Sequence, residues 1–212
     1  MAEPAGTLVI ETASEACSVA LFDGSKLIAH DHRELGRGHA ERLIPMIEAL
    51  PEKGRSSRIL VSLGPGSFTG VRIGIAAARA LGVAWAVPVL GYPTLALVAA
   101  RAWQPRPRAV TVCMNGGHGE WFVQDFIHDR SEGPVRSLAP EAAYAAGAQQ
   151  FIVGNRAREF AAMFADNRTA LDLLPDARCA NLIHETRLKA DLSPIYGRAP
   201  DAVPQAKKVA KP

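Results

Sequence analysis

The chain has 212 residues, a formal net charge of +3, 48% hydrophobic residues and only 6% aromatic ones. A chain of this length buries about 70 per cent of its unfolded surface, enough for one large core or two small ones. So small a charge and so few aromatics argue against direct nucleic-acid binding and base-stacking platforms. No apolar run is long enough to span a bilayer. The N-terminus enters Thr7-Leu8-Val9-Ile10 without the basic start and apolar core of an export signal. The three cysteines, Cys17, Cys113 and Cys179, lack paired spacing, as for reduced thiols, so a cytoplasmic protein is expected.

Residues 7–12, 17–22 and 26–33 are predicted as strands, with an Asp23-Gly24 turn between the second and third. A helix is expected over 39–50, with Leu43, Ile47 and Leu50 on one face and Ala40 and Ile44 beside them. Pro45 predicts a kink or a late start. Ile59-Leu60-Val61-Ser62-Leu63 has the branched apolar composition of a buried strand. A glycine turn, a helix over 70–85, a strand over 87–90 and a helix over 93–102 follow. Gln104-Pro105-Arg106-Pro107 is the expected lobe boundary, since two prolines hold the chain extended.

Beyond it, strands are expected over 110–114 and 120–126 across a turn containing Gly116, Gly117 and Gly119, then a helix over 140–148, a strand over 151–153 and a helix over 156–164. The expected division is an N-terminal lobe over 1–104 and a C-terminal lobe over 105–212. A solvated basic tail over 203–212 carries Lys207, Lys208 and Lys211. Two lobes that each open with strands suggest an internal duplication. Periodicity alone gives the α/β class.

The turn Gly64-Pro65-Gly66-Ser67-Phe68-Thr69-Gly70 lies between strand and helix, where backbone amides can approach a phosphate. Ser67 and Thr69 are candidate caps for the helix. Both standard phosphate motifs fail. Gly70 is followed by Val71-Arg72 in place of Lys-Ser/Thr, and Gly64, Gly66 and Gly70 are spaced one residue too wide for Gly-x-Gly-x-x-Gly. A structural turn is favoured over an anion cradle. In the helix, Gly70, Gly74, Ala78 and Gly82 recur four apart, leaving one face almost bare. Each internal glycine costs up to about 1 kcal/mol against alanine, which close backbone packing explains. Spacing favours packing on the chain's own sheet. Docking of another protein's helix is the alternative.

The sequence Gly64-Pro65-Gly66-Ser67-Phe68-Thr69-Gly70-Val71-Arg72-Ile73-Gly74 also resembles the TsaB (YeaZ) family, bacterial partner subunits in making the threonylcarbamoyl modification of adenosine in tRNA. Further matches are Leu8-Val9-Ile10-Glu11-Thr12, Cys17-Ser18-Val19-Ala20-Leu21, His39-Ala40-Glu41-Arg42-Leu43-Ile44-Pro45 and Pro194-Ile195-Tyr196-Gly197-Arg198-Ala199-Pro200-Asp201-Ala202. The resemblance is weakest over about 125–190. It implies a two-lobed sugar-kinase/Hsp70/actin-like fold of duplicated RNase H-like lobes. It also implies a non-catalytic subunit that docks on a TsaD-like transferase, with a TsaE-like ATPase joining and tRNA contacted only indirectly. No cofactor is expected in the isolated chain. A nucleotide at the partner interface and a homodimer of the chain alone stay open. If the bare helix face docks, Gly74, Ala78 and Arg79 would touch the partner, with Leu43, Ile47 and Leu50 from the neighbouring helix.

The rival reading is an enzyme of the same superfamily, a metallopeptidase or a phosphotransferase. Glu11 stands where TsaB sequences usually have Asp, with Ala13 in place of Ser, and Asn115-Gly116-Gly117 replaces the usual Asp-Ala-Arg while Glu120 is retained. One carboxylate beside Thr12 is thin for magnesium, so a structural acid is favoured. TsaD uses a His-x-x-x-His pair for its metal, whereas His39 is followed at that spacing by Leu43. His30 and His32 share a strand face around Asp31, a pattern more common in partly exposed strands than in metal sites. His118, His128 and His184 have no visible partners in the sequence. No catalytic residue or metal ligand is assigned.

Overall fold

The computed structural model describes residues 6–103, 109–127 and 130–197. The expected boundary at 104–107, His128, the Arg198–Ala202 part of the terminal motif and the basic tail lie outside them. The first three strands, β1 (Thr7–Glu11), β2 (Ala16–Asp23) and β3 (Lys26–Glu34), form an antiparallel meander. Two more, β4 (Arg58–Ser62) and β5 (Val89–Tyr92), are added in parallel through helical crossovers, giving the order β3-β2-β1-β4-β5. The central strands read as unbroken apolar runs because both their faces are covered. On one face, Leu8, Ile10, Ile59 and Val61 meet Leu43, Met46 and Ile47 of α1 (His39–Glu48) and Val71, Ile75 and Ala78 of α2 (Phe68–Trp85). On the other, Val9, Leu60 and Tyr92 meet Leu97 of α3 (Thr94–Ala102).

The second sheet repeats the first. Strands β6 (Val110–Gly117), β7 (Glu120–Ile127) and β8 (Arg130–Leu138) form the meander. After α4 (Pro140–Ala146), β9 (Phe151–Val153), α5 (Ala157–Ala161) and β10 (Thr169–Leu171) complete the order β10-β9-β6-β7-β8. Each lobe thus pairs its strands one, two and three antiparallel and adds two parallel strands beyond strand one, which is the duplication expected of the fold. Between the lobes sits α3, apolar apart from Thr94 and Arg101 and buried everywhere except at Arg101, as suits a helix packed between two sheets. Its Leu95, Val98, Ala99 and Ala102 pack against Val110, Val112 and Met114 of the second sheet while Leu97 packs on the first.

Several boundaries differ from those read in the sequence. Helix α1 starts at His39, runs through Pro45 and ends at Glu48. The fifth strand covers Val89–Tyr92, not 87–90. Helices α4 and α5 are shorter than expected. Strands β8 and β10 were not anticipated. Both lie at sheet edges, and Arg-Ser-Glu-Gly-Pro-Val-Arg-Ser-Leu and the three residues Thr-Ala-Leu are too exposed to carry an alternating pattern. After β10 the chain returns to the first lobe. The Ala177 amide donates to Ser18 Oγ at 2.9 Å, Lys189 pairs with Gly91, Leu192 enters the α1–α2 core, and the Ile195 amide donates to the Leu63 carbonyl at 2.7 Å. By their contacts, residues 176–195 belong to the first lobe, whereas a division after residue 104 assigns them to the second.

Candidate functional site

The glycine turn is built against the turn between β1 and β2. Gly64 adopts φ +89°, and its carbonyl accepts from the Thr94 amide at 2.9 Å. The Ser67 amide donates to the Ala13 carbonyl at 2.7 Å. A Cβ on Gly66 would overlap Ala13, and one on Gly70 the Thr12 carbonyl. Thr12 Oγ1 donates to the Gly70 carbonyl at 2.8 Å. Ser67 is the N-cap, its Oγ accepting from the Gly70 amide at 3.1 Å. These hydrogen bonds and close approaches hold the glycine turn against the chain's own β1–β2 turn. Gly64, Gly66 and Gly70 serve close packing, the favoured sequence reading.

The bare face of α2 turns the same way. A Cβ on Gly74 would overlap Thr12 Oγ1, one on Gly82 would overlap Val89, and Ala78 is fully buried. Leu43, Ile47 and Leu50 are buried in the same core. This corrects the expectation that these five residues, Gly74, Ala78, Leu43, Ile47 and Leu50, touch a partner. The physical reason is that the first sheet lies directly beneath both helices, β2 under α1 and β1 and β4 under α2. Of the six expected residues only Arg79 is exposed. The outward surface carries Ala40, Ile44 and Pro45 on α1 and Arg72, Ala76, Ala80 and Val83 on α2, with Ile44 42% and Val83 84% exposed. The sequence did offer a signal, since Ala40 and Ile44 form the second apolar face of α1.

Glu11, at the end of β1, is fully buried. Its Oε1 accepts from the Ala13 amide at 2.8 Å and from Ser62 Oγ at 2.9 Å, and its Oε2 accepts from Tyr92 Oη at 3.2 Å. Desolvation pushes its pKa up to about 7, against the opposing pull of these hydrogen bonds. It joins β1, β4, β5 and the β1–β2 turn beneath the surface. His39 is also buried, and its Nε2 lies 2.9 Å from the Ser14 carbonyl and 3.2 Å from that of Ala16, tying α1 to the same turn. His32 faces Asp176, at 3.5 Å, rather than His30. Among the described residues no three His, Cys, Asp or Glu side chains come together to hold a metal ion. In the second lobe, Glu120 Oε2 accepts from Ser137 Oγ at 2.6 Å.

Between the lobes lies a cleft of about 820 Å³. The β1–β2 turn and the glycine turn form one wall, the β6–β7 turn the other, Thr94 of α3 lies between them, and Ile195 and Tyr196 line one margin. Asn155 joins the walls. Its Nδ2 donates to Glu15 Oε1 at 2.8 Å and its Oδ1 accepts from the Asn115 amide at 2.8 Å. At the rim, Arg72 stacks over Phe68 at 3.3 Å and donates to Tyr196 Oη at 2.7 Å. Sequence reading missed Thr94, Glu15, Asn155 and the role of Arg72. Glu15 and Asn155 are 140 residues apart, and nothing local marks them as neighbours.

The family described as "TsaD: tRNA N6-adenosine threonylcarbamoyltransferase" matches residues 32–152. Escherichia coli "tRNA threonylcarbamoyladenosine biosynthesis protein TsaB" is 36% identical over 130 residues, 58% of this chain and 56% of that protein. The chain thus spans little more than half the length of this curated relative. A crystal structure of "an uncharacterized protein with similarity to peptidase YEAZ from Pseudomonas aeruginosa" is 30% identical with a TM-score of 0.70, covering 84% of this chain and 88% of that one. "YeaZ from Pseudomonas aeruginosa" is 26% identical with a TM-score of 0.75, covering 91% of this chain and 99% of that one.

Proposed function

From the premise that the chain belongs to the TsaB (YeaZ) family, within the wider TsaD group, we propose that it supports synthesis of N6-threonylcarbamoyladenosine in tRNA by binding a TsaD-like transferase. The observation that carries this reading is the outward surface of α1 and α2. Their inner faces are filled by the chain's own core, yet Ile44 and Val83 stand exposed among the small Ala76 and Ala80, a surface that another helix pair can approach closely. In this reading the chain does no chemistry itself. Glu11, the acid at the place where ATP-using superfamily members need one, is turned into the core and held by Ala13, Ser62 and Tyr92.

A TsaE-like ATPase joins the complex in this reading, a nucleotide has its place at the partner interface, and tRNA is met through the partner in the cytoplasm. No helix among the described residues is long and apolar enough to cross a membrane. Without its partner the same surface is available for a homodimer. The metallopeptidase and phosphotransferase readings are not favoured. Among the described residues no three His, Cys, Asp or Glu side chains gather as the first would need, and Glu11 is buried away from the surface where the second would need it.

Isothermal calorimetry with the host's TsaD-like protein tests the proposal. The wild-type chain is expected to bind, and Val83→Glu to weaken binding at least tenfold while leaving the thermal melt unchanged, since Val83 touches solvent. No binding by a folded wild-type chain would sink the partner reading. Binding untouched by Val83→Glu and by Ala80→Trp would move the interface elsewhere.

A further inference from the structure

We propose that Asn115, near the end of β6, is a site of spontaneous deamidation, in which the Gly116 backbone nitrogen attacks the Asn115 side chain and a carboxylate replaces the amide. The chain has four asparagines, and only Asn115 is followed by glycine, since Arg156, Arg168 and Leu182 follow the others. A side chain on the residue after asparagine crowds the attacking nitrogen, whereas glycine leaves it open. Asn115 is exposed, so water reaches it and ammonia can leave.

The local fold sets up the attack. Pairing between β6 and β7 steps from Asn115 opposite Trp121 to Gly117 opposite Glu120, so Gly116 is the residue left over in a bulge. The Gly117 amide donates to Asn115 Oδ1 at 3.2 Å, which folds the side chain back along the next peptide and polarises its carbonyl carbon. The Asn115 amide donates to Asn155 Oδ1 at 2.8 Å, which holds the backbone of the reacting residue. The fold also requires the glycine, because a Cβ on Gly116 would lie 2.9 Å from the Glu120 carbonyl oxygen.

The reaction balances with water alone. Gly116 N loses its proton and bonds to Asn115 Cγ, the Cγ–Nδ2 bond breaks, and ammonia departs from a cyclic succinimide. Water then opens the ring at either carbonyl. Opening at Cγ gives aspartate with the chain path unchanged. Opening at the backbone carbonyl gives isoaspartate, whose main chain runs through the former side chain. Either product adds a negative charge to the second lobe's wall of the cleft. Asn155, which holds the Asn115 amide, also donates to both Glu15 oxygens of the first lobe, at 2.8 and 3.0 Å. The new carboxylate therefore stands near that of Glu15, and the two repel across the contact that joins the walls.

The test incubates the whole folded chain at neutral pH and 37 °C beside a sample denatured in urea, and maps its peptides by mass spectrometry with isoaspartate detection. Asn115 is expected to show the mass change of an amide-to-acid exchange, with isoaspartate, at least tenfold faster than Asn155, Asn167 or Asn181. Asn115→Gln, which keeps the amide but would need a larger ring, is expected to abolish the change. Conversion more than tenfold slower in the folded than in the denatured chain would overturn the site. Thermal melting tests the consequence. Asn115→Asp is expected to lower the melting temperature by about 2–4 °C at low salt, and Glu15→Gln to remove most of that loss. A melt unmoved by Asn115→Asp, or a loss indifferent to Glu15→Gln, would overturn the repulsion. None of these readouts depends on partner binding, so either proposal can fail alone.

Discussion

Glu11 shows how much one buried group can decide. Its proton fits the site: with Oε2 protonated, the carboxyl donates to Tyr92, which is then free to donate to the Ile10 carbonyl, 3.1 Å away. The folded pKa, about 7, lies above the ordinary 4.5, chiefly because burial disfavours the charge. The folded chain therefore holds this proton through a range in which the unfolded chain has released it. Stability from this group is complete below about pH 4.5 and is lost as pH rises through 7, by about 3 kcal/mol in all. Glu11→Gln reproduces the neutral pattern, its amide nitrogen donating to Tyr92. Thermal melts from pH 4.5 to 8 are expected to fall for the wild type and to lose most of that slope in the variant. An unchanged slope would show that Glu11 titrates at its ordinary value.

Glycine 74 is the second decisive position. Its missing Cβ leaves room for Thr12 Oγ1, with Val61 and Ile10 next nearest. Overpacking costs typically 1–3 kcal/mol, and a leucine against a strand belongs at the upper end. Gly74→Leu is expected to lower the melting temperature by roughly 10 °C. A melting temperature unchanged from the wild type would mean that α2 moves off the sheet at little cost.

At the scale of elements, α2 presents two unlike faces, one packed and one open. The face of Gly70, Gly74, Ala78 and Gly82 lets the helix press on β1, β4 and β5, and the opposite face carries Ala76, Ala80 and Val83. Substitutions on the two faces should therefore separate: Gly74→Leu acts on folding and Val83→Glu on partner binding. Calorimetry and melting measured on both variants distinguish the faces. The existence of the helix, its cap at Ser67 and its glycine spacing were legible in the sequence because each rests on local geometry. Which face looks outward was not, because a row of small residues serves equally to approach a sheet or a foreign helix. Strands β8 and β10 were illegible for another reason. An edge strand is held by backbone pairing, which any sequence can make, and these two bury too little to leave a hydrophobic pattern.

At the scale of the molecule, α3 and the returning C-terminal segment join the lobes. Since α3 lends side chains to both sheets, the lobes are expected to unfold in one transition, with calorimetric and van't Hoff enthalpies agreeing. Two resolved transitions would show that the shared helix couples them weakly. The C-terminal return rests on Asp176, buried to 1% exposure, which accepts from Arg178 Nη2 at 2.6 Å and faces His32. The arginine and backbone hydrogen bonds hold its carboxyl below the usual range despite its burial.

The sequence by itself determined the α/β class, the order of most elements, the duplicated plan and the family, because strand and helix periodicity, caps and the glycine-rich motif are local in the chain. Only the tertiary structure decided which faces of α1 and α2 look outward, that Glu11 and His39 are ties within the core, and that Thr94, Glu15 and Asn155 meet around one cleft. Those facts depend on which side of a helix the sheet occupies and on contacts between residues far apart in the chain. Such contacts are set by packing two lobes around α3, and no periodicity along the chain encodes them.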